Sequence, residues 1–209
     1  MTHSIVAETM PFYGKKRQDM EEKRPHYTTW AVFQRQYLNK EDRFKYEWID
    51  GIVEKTERTM DQKQYFILKN LRQLFTKLLV EGHVNGGFEA EIDTFFLAKV
   101  HRRPDVAYFS EEQEAKMAIE GNQIPEFVIE IISTHDQMNK SVKKMKNYRD
   151  AGVKVVWRIF PIQEEVHVHW GDNLDVMHVC MSDSICSAAP VLPSFALAAK
   201  DIFKMPLTK

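Results

Sequence analysis

One carboxylate stands inside an apolar run: Glu130 in "EFVIEIIS" (126–133), with Phe127, Val128 and Ile129 before it and Ile131 and Ile132 after it. A short run that is apolar at both alternating positions reads as a strand buried on both faces of a sheet, the kind found inside α/β proteins. An unpaired carboxylate there would cost several kcal/mol, on the order of the effective desolvation penalty of one buried ion. It therefore needs a cationic partner, a shifted pKa or a metal ion.

The neighbouring segments agree with such a sheet. A short helix through "WAVFQRQYL" can be capped by Thr28 or Thr29, and "FKYEWIDGIVEKT" reads as two strands around the hairpin pair Asp50-Gly51. Residues 62–80 carry apolar side chains at 67, 68, 71, 74, 75, 78 and 79, which is helical spacing, and Gly82 follows as a stop. Short strands are predicted in "FEAEIDTFFLA" and "PDVAYFS", with a helix or loop over "EEQEAKMAIEG" before Glu130's strand. A second helix over 139–151 ends at Gly152, and "VKVVWRIF" and "EEVHVHW" return to strand. The order helix, strands, helix, strand is that of an α/β sheet domain. Residues 1–27 are polar and read as a flexible arm, which leaves 28–209 as one expected domain.

Composition narrows the function classes. The chain has 209 residues, 44% of them hydrophobic and 28% charged, with a net charge of -1. That excludes a disordered polyelectrolyte and a globally basic nucleic-acid protein, so any DNA contact must use a local patch. Cys180 and Cys186 lack zinc-ligand spacing, no run approaches a membrane span and no signal h-region is visible, so a cytoplasmic home is expected.

Asp105, in "RRPDVAYFS" (102–110), stands at the mouth of the strand that precedes Glu130's by about twenty-five residues. If the two strands are neighbours, two hard oxygen donors lie at one level, suited to Mg²⁺ completed by waters and a substrate phosphate. A structural ion pair with Arg102, Arg103 or a lysine of the next helix explains the same residues, and both readings stand at this point. On that helix Lys140, Lys144 and Tyr148 share one stripe, while Val142, Met145 and Ala151 form an apolar stripe expected to face the sheet. From there a lysine could reach the carboxylates. Glu91 could add a third oxygen or face solvent, and Glu47 is read as pairing locally in the hairpin. His167 and His169 share a strand face, read as polar rather than metal-binding because no acid or cysteine is set beside them.

Four motifs occur in one order: "YEWIDG" (46–51), "RRPDVAYFS" (102–110), "FVIEIIS" (127–133) and "KKMKNYRDAGVKVVW" (143–157). Together they resemble the Uma-two family of restriction endonucleases, a branch of the PD-(D/E)XK nuclease superfamily, over residues 28–204. The resemblance implies a restriction-endonuclease-like αβββαβ core, with a central mixed sheet flanked by helices and an added N-terminal helix and hairpin. It implies Asp105 and Glu130 as metal-binding acids for Mg²⁺ or Mn²⁺. The superfamily's usual lysine position, two residues after the glutamate, is Ile132 here; the branch's K-x-x-x-Y-x-x-x-G-V pattern places that role on Lys144, with Tyr148 as accessory. Gln64 occupies a place where the family often has histidine, and Phe160 one where aspartate is common. The implied activity is metal-dependent hydrolysis of DNA phosphodiesters, with Arg102, Arg103, Lys140 and Lys143 as backbone-phosphate contacts. A homodimer would allow both strands to be cut together. The alternative is a catalytically inactive nuclease-fold module that binds nucleic acid or a protein partner.

Overall fold

The structure, a computed structural model, describes residues 27–57, 61–132 and 138–206. The expected flexible arm lies outside the described residues except for Tyr27, which bridges to Ile52.

A short α1 (Trp30–Phe33), capped by the Thr29 hydroxyl, runs on into a π-helical turn at Gln34–Leu38. The hairpin of β1 (Phe44–Ile49) and β2 (Ile52–Glu57) turns where the sequence places it. Asp50 and Gly51 both have positive φ, 50° and 85°, as a two-residue hairpin with the twist of its strands requires. α2 spans Gln62–Val80, with the Asp61 side chain accepting from the Gln64 N–H at 2.8 Å and Gly82 in the left-handed region just beyond its end. Then come β3 (Gly87–Glu89), β4 (Thr94–Leu97), β5 (Val100–Arg102) and β6 (Val106–Phe109). The segment 111–120 is helical: α3 (Glu111–Glu120) opens on a reciprocal capping box between Ser110 and Gln113. β7 (Phe127–Ile131), α4 (Met138–Asp150) and β8 (Val155–Phe160) follow. β9 (Glu165–Trp170), β10 (Val176–Cys180), β11 (Ile185–Ala188), β12 (Leu192–Ala198) and a short α5 (Ala199–Ile202) complete the order.

The central sheet has the order β10-β9-β8-β7-β6-β3 and is mixed: β7 and β8 run parallel across the α4 crossover, and its other pairs are antiparallel. It is flanked by helices, as the sequence reading expects. Glu130's strand is buried at all five positions, so alternate side chains must find cover on opposite faces. On one face Phe127, Ile129, Trp157 and Val155 pack with Ile67, Leu71, Phe75 and Leu78 of α2 and with Phe195 of β12. On the other, Val128 and Val156 pack with Met145 and Tyr148 of α4 and with Ile49, Phe96 and Val100. Those last three belong to a second, antiparallel sheet, β2-β1-β5-β4, which is thereby held against the α4 side of the central sheet. Its far face carries Tyr46 and Trp48, packed on Phe33.

One expectation about α4 is corrected. Val142 does not face the sheet: it is 57% exposed, whereas Met145 is 8% exposed and Tyr148 fully buried. At roughly 100° per residue Val142 lies about 120° round the helix from Tyr148, and the bulkier tyrosine takes the core. So Met145→Ala is expected to cost about 2–5 kcal/mol of stability, and Val142→Ala to stay within about 0.5 kcal/mol of wild type. Urea unfolding of the two variants checks the assignment; equal losses would contradict it.

Candidate active site

The β6–β7 register sets the site. Val106 pairs with Ile129 and Ala107 with Val128, so continuing the ladder by one residue puts Asp105 opposite Glu130. Residues opposite one another in an antiparallel pair project to the same face. The two carboxylates therefore emerge together on the α4 side. Asp105 sits just ahead of β6, where its Oδ2 accepts from the Ile131 N–H at 2.7 Å. That bond ties the first carboxylate to the backbone of the strand that carries the second.

Each acid meets a lysine from a different element. Lys144, on α4, donates to Glu130 Oε2 at 2.8 Å, and the Tyr148 hydroxyl, one turn along, donates to Glu130 Oε1. Lys45, on β1, donates to Asp105 Oδ1 at 2.7 Å. Lys45 and Glu47 point to the same side of β1 as Ile49, hence toward the central sheet, and Glu47 lies 3.8 Å from Lys144. Glu47 also accepts from the Arg103 N–H at 2.9 Å. In the hairpin register it is directly opposite Glu54, a like-charge arrangement that would destabilise the pair on its own. The Arg102 guanidinium resolves it by reaching Glu47 Oε2 and Glu54 Oε2 at 2.9 Å each, while its remaining donors hold Asn147 Oδ1. Lys143 donates to Glu54 Oε1 at 3.0 Å.

Among the residues singled out from sequence, the structure brings together Asp105, Glu130, Lys144 and Tyr148. Arg102 is corrected as a phosphate contact. It is fully buried and committed to two glutamates and an asparagine, so its fork is unavailable to a DNA backbone. Arg103 donates to Asp93 Oδ2 at 2.8 Å and to the Leu38 carbonyl at 3.2 Å. Lys140 is half-buried and lines a pocket of about 30 Å³ with Glu130, Lys144, Tyr148 and Arg158. Glu91 is half-buried in the bend between β3 and β4, with φ of 49°. His167 Nε2 lies 3.3 Å from Glu165 Oε2, so an acid does stand beside that strand face; His169 is buried and pushed down to about 4 by burial and then by Arg158 and His167.

Sequence reasoning missed Lys45 and Glu54 and gave Glu47 only a local partner. A signal was present: in "FKYEWI" the charges at 45 and 47 alternate with Tyr46 and Trp48, and share their side of the strand with apolar Ile49. Charges on an apolar strand face announce a buried network.

Electrostatics separates the two acids. Burial would raise the Asp105 carboxyl, but Lys45 and Lys144 override it and hold it below its ordinary value. Glu130 is moved the other way: burial raises it, and the opposition of Lys144 is countered by the negative charge of Asp105. Burial would lower both Lys45 and Lys144; the surrounding carboxylates raise them instead. Glu47, despite burial, is lowered to about 2 by Lys144, Arg102 and Lys45. A carboxyl depressed by folding stabilises the folded state above its unfolded value, 4.5, and that contribution is lost as pH falls toward about 2. Thermal melts across this interval should therefore show a shallower acid loss for Glu47→Gln than for wild type. Equal slopes would mean that Glu47 is not held ionised by its cations.

Comparison with known proteins follows the same geometry. A crystal structure from Anabaena variabilis ATCC 29413, described as "a putative nuclease belonging to DUF820", superimposes with a TM-score of 0.60 at 20% sequence identity. The match covers 76% of this chain and 89% of that one, and at such identity it carries the fold alone. No curated protein matches the chain. The Uma2 family, described as "Putative restriction endonuclease", matches residues 30–200. Across that span, which takes in all three sheets of the described residues and every residue of the acid–lysine cluster, the chain belongs to the Uma2 family.

Proposed function

We propose that this protein is a metal-dependent endonuclease that hydrolyses DNA phosphodiesters, with Asp105, Glu130 and Lys144 as its reactive set. The observation that carries the reading is the pairing of Asp105 and Glu130 in register on one sheet face, each oxygen pair already facing an ammonium group at 2.7 or 2.8 Å. The family description supports a nuclease activity.

The donor set fits a hard divalent cation. Among the described residues no group of three or more His, Cys, Asp and Glu is placed to hold a metal, so the protein would supply two carboxylates. That suits Mg²⁺ or Mn²⁺, which keep several waters and use one or two carboxylates plus substrate phosphate. Bound by Asp105 and Glu130, the ion would acidify a water and offset charge on the phosphate. Lys144 would orient the attacking water and stabilise charge developing on the phosphoryl oxygens. Tyr148, whose hydroxyl is pushed well up by burial and by Glu130, stays protonated and holds the Glu130 carboxylate in its rotamer. Lys140, which lines the pocket, would contact a backbone phosphate and so position DNA without reading its sequence, whereas Lys143 is engaged by Glu54.

A second reading has one observation in its favour. Both oxygens of Asp105 and both of Glu130 already have partners within the protein, as they would in a structural cluster of an inactive nuclease-fold module. Calorimetric titration with Mn²⁺ separates the two. On the nuclease reading wild type binds, Asp105→Ala and Glu130→Ala do not, and Lys144→Ala binds metal but loses duplex cleavage by about 100-fold or more. Absence of binding by wild type, with and without a DNA duplex, would leave the structural reading.

A further inference from the structure

Arg158 is a guanidinium in the same pocket that the hydrolytic set leaves unused. In the parallel ladder of β7 and β8 it stands beside Glu130, so both side chains project to the α4 face. Glu130 does not neutralise it, because its oxygens are taken by Lys144 and Tyr148. Nor does any other carboxylate among the described residues come within ion-pair distance, in contrast to Arg102, which holds two. What Arg158 has instead is weak: Nη1 donates to Ser141 Oγ at 3.3 Å, and Nη2 lies 3.5 Å from His167 Nδ1. Its Nε is buried without a partner among the described residues. Burial lowers its pKa, and no opposing carboxylate restores it.

A half-buried arginine with a bare Nε and no counter-ion among the described residues is costly unless an anion completes it. The pocket it lines also holds the donors Lys140, Lys144 and Ser141, beside Glu47, Glu54 and Glu130, whose oxygens are already taken by Lys144, Arg102, Lys143 and Tyr148. The ring of Phe160 lies 5.7 Å from Arg158 Cζ and packs, tilted by 46°, against His167 at 4.5 Å between centroids, which backs the guanidinium from the strand side. A planar fork whose terminal nitrogens make only contacts of 3.3 and 3.5 Å is matched to two oxygens of a phosphate. The geometry assigns to Arg158 the anchoring of a phosphodiester oxygen of a bound DNA strand, beside the Asp105–Glu130 pair. This inference rests on the nuclease reading and names the residue that replaces Arg102 as its phosphate-binding arginine. Arg158 is a positioning residue: it holds the strand and takes no part in proton transfer.

The test is equilibrium binding of a short fluorescein-labelled DNA duplex, followed by anisotropy over a range of salt with Ca²⁺ present, for wild type, Arg158→Gln and Arg158→Lys. Removing one phosphate contact should reduce the slope of log K against log salt by about 0.9 and weaken binding by about ten-fold. Arg158→Lys should keep the slope and lose part of the affinity, since charge remains and the fork does not. If Arg158→Gln melts early, the folded Arg158→Lys decides: unchanged affinity overturns the inference. Wild-type slope and affinity in a stable Arg158→Gln overturn it as well, and if that variant still cuts DNA the nuclease reading survives alone. A wild type that binds duplex through Arg158 yet never cuts keeps the anchor and sinks the nuclease reading. Binding of inorganic phosphate at Arg158 without duplex binding would overturn the inference in favour of a free-anion pocket.

Discussion

Gathering the buried Glu47 and Glu130 with the half-buried Glu54 and Asp105 is possible only because Lys45, Arg102, Lys143 and Lys144 are brought to the same place. Each acid taken from water alone would carry a penalty of several kcal/mol, and Glu47 and Glu54 face each other across a hairpin. The cations come from β1, β5 and α4, so the charges are balanced only when both sheets and the helix are assembled. The network thus ties the second sheet to the central one by charge as well as by the contacts of Ile49, Phe96 and Val100. Removing one partner leaves an uncompensated buried charge, which makes the cluster sensitive to single substitutions in a way its hydrophobic surroundings are not.

That balance also divides labour between two arginines. Arg102 is locked into the network with its guanidinium fully buried. Arg158, on the neighbouring strand to Glu130, meets among the described residues a hydroxyl and an imidazole at 3.3 and 3.5 Å and no carboxylate. Similar residues in one neighbourhood differ because one of them meets the Glu47–Glu54 pair and the other does not. Availability of a basic side chain here is decided by which carboxylates are already satisfied.

Much of the fold was legible along the chain. The period of 62–80, the Asp50-Gly51 turn, the apolar run around Glu130 and the Gly152 stop each act through local chemistry, and each appears where its residues predict. The strand–helix–strand order around α4 likewise follows from periodicity. Less was legible where neighbours decide. The short β3 and β5 have too few residues to show alternation. Val142 and Tyr148 compete for the inner side of α4, and only packing against Phe96 and Val128 settles that the tyrosine wins.

The candidate site divides the same way. Sequence alone determined that Glu130 must be compensated, because a carboxylate inside an apolar strand has no access to water, and it singled out Asp105, Lys144 and Tyr148 as its company. Tertiary structure decided the rest: the β6–β7 register that sets Asp105 opposite Glu130, the arrival of Lys45 and Glu47 from a separate sheet, and the withdrawal of Arg102 from solvent. The physical reason is range. Desolvation and periodicity are written in a few consecutive residues, whereas the partner of a charge is chosen by which distant strand the packing lays beside it.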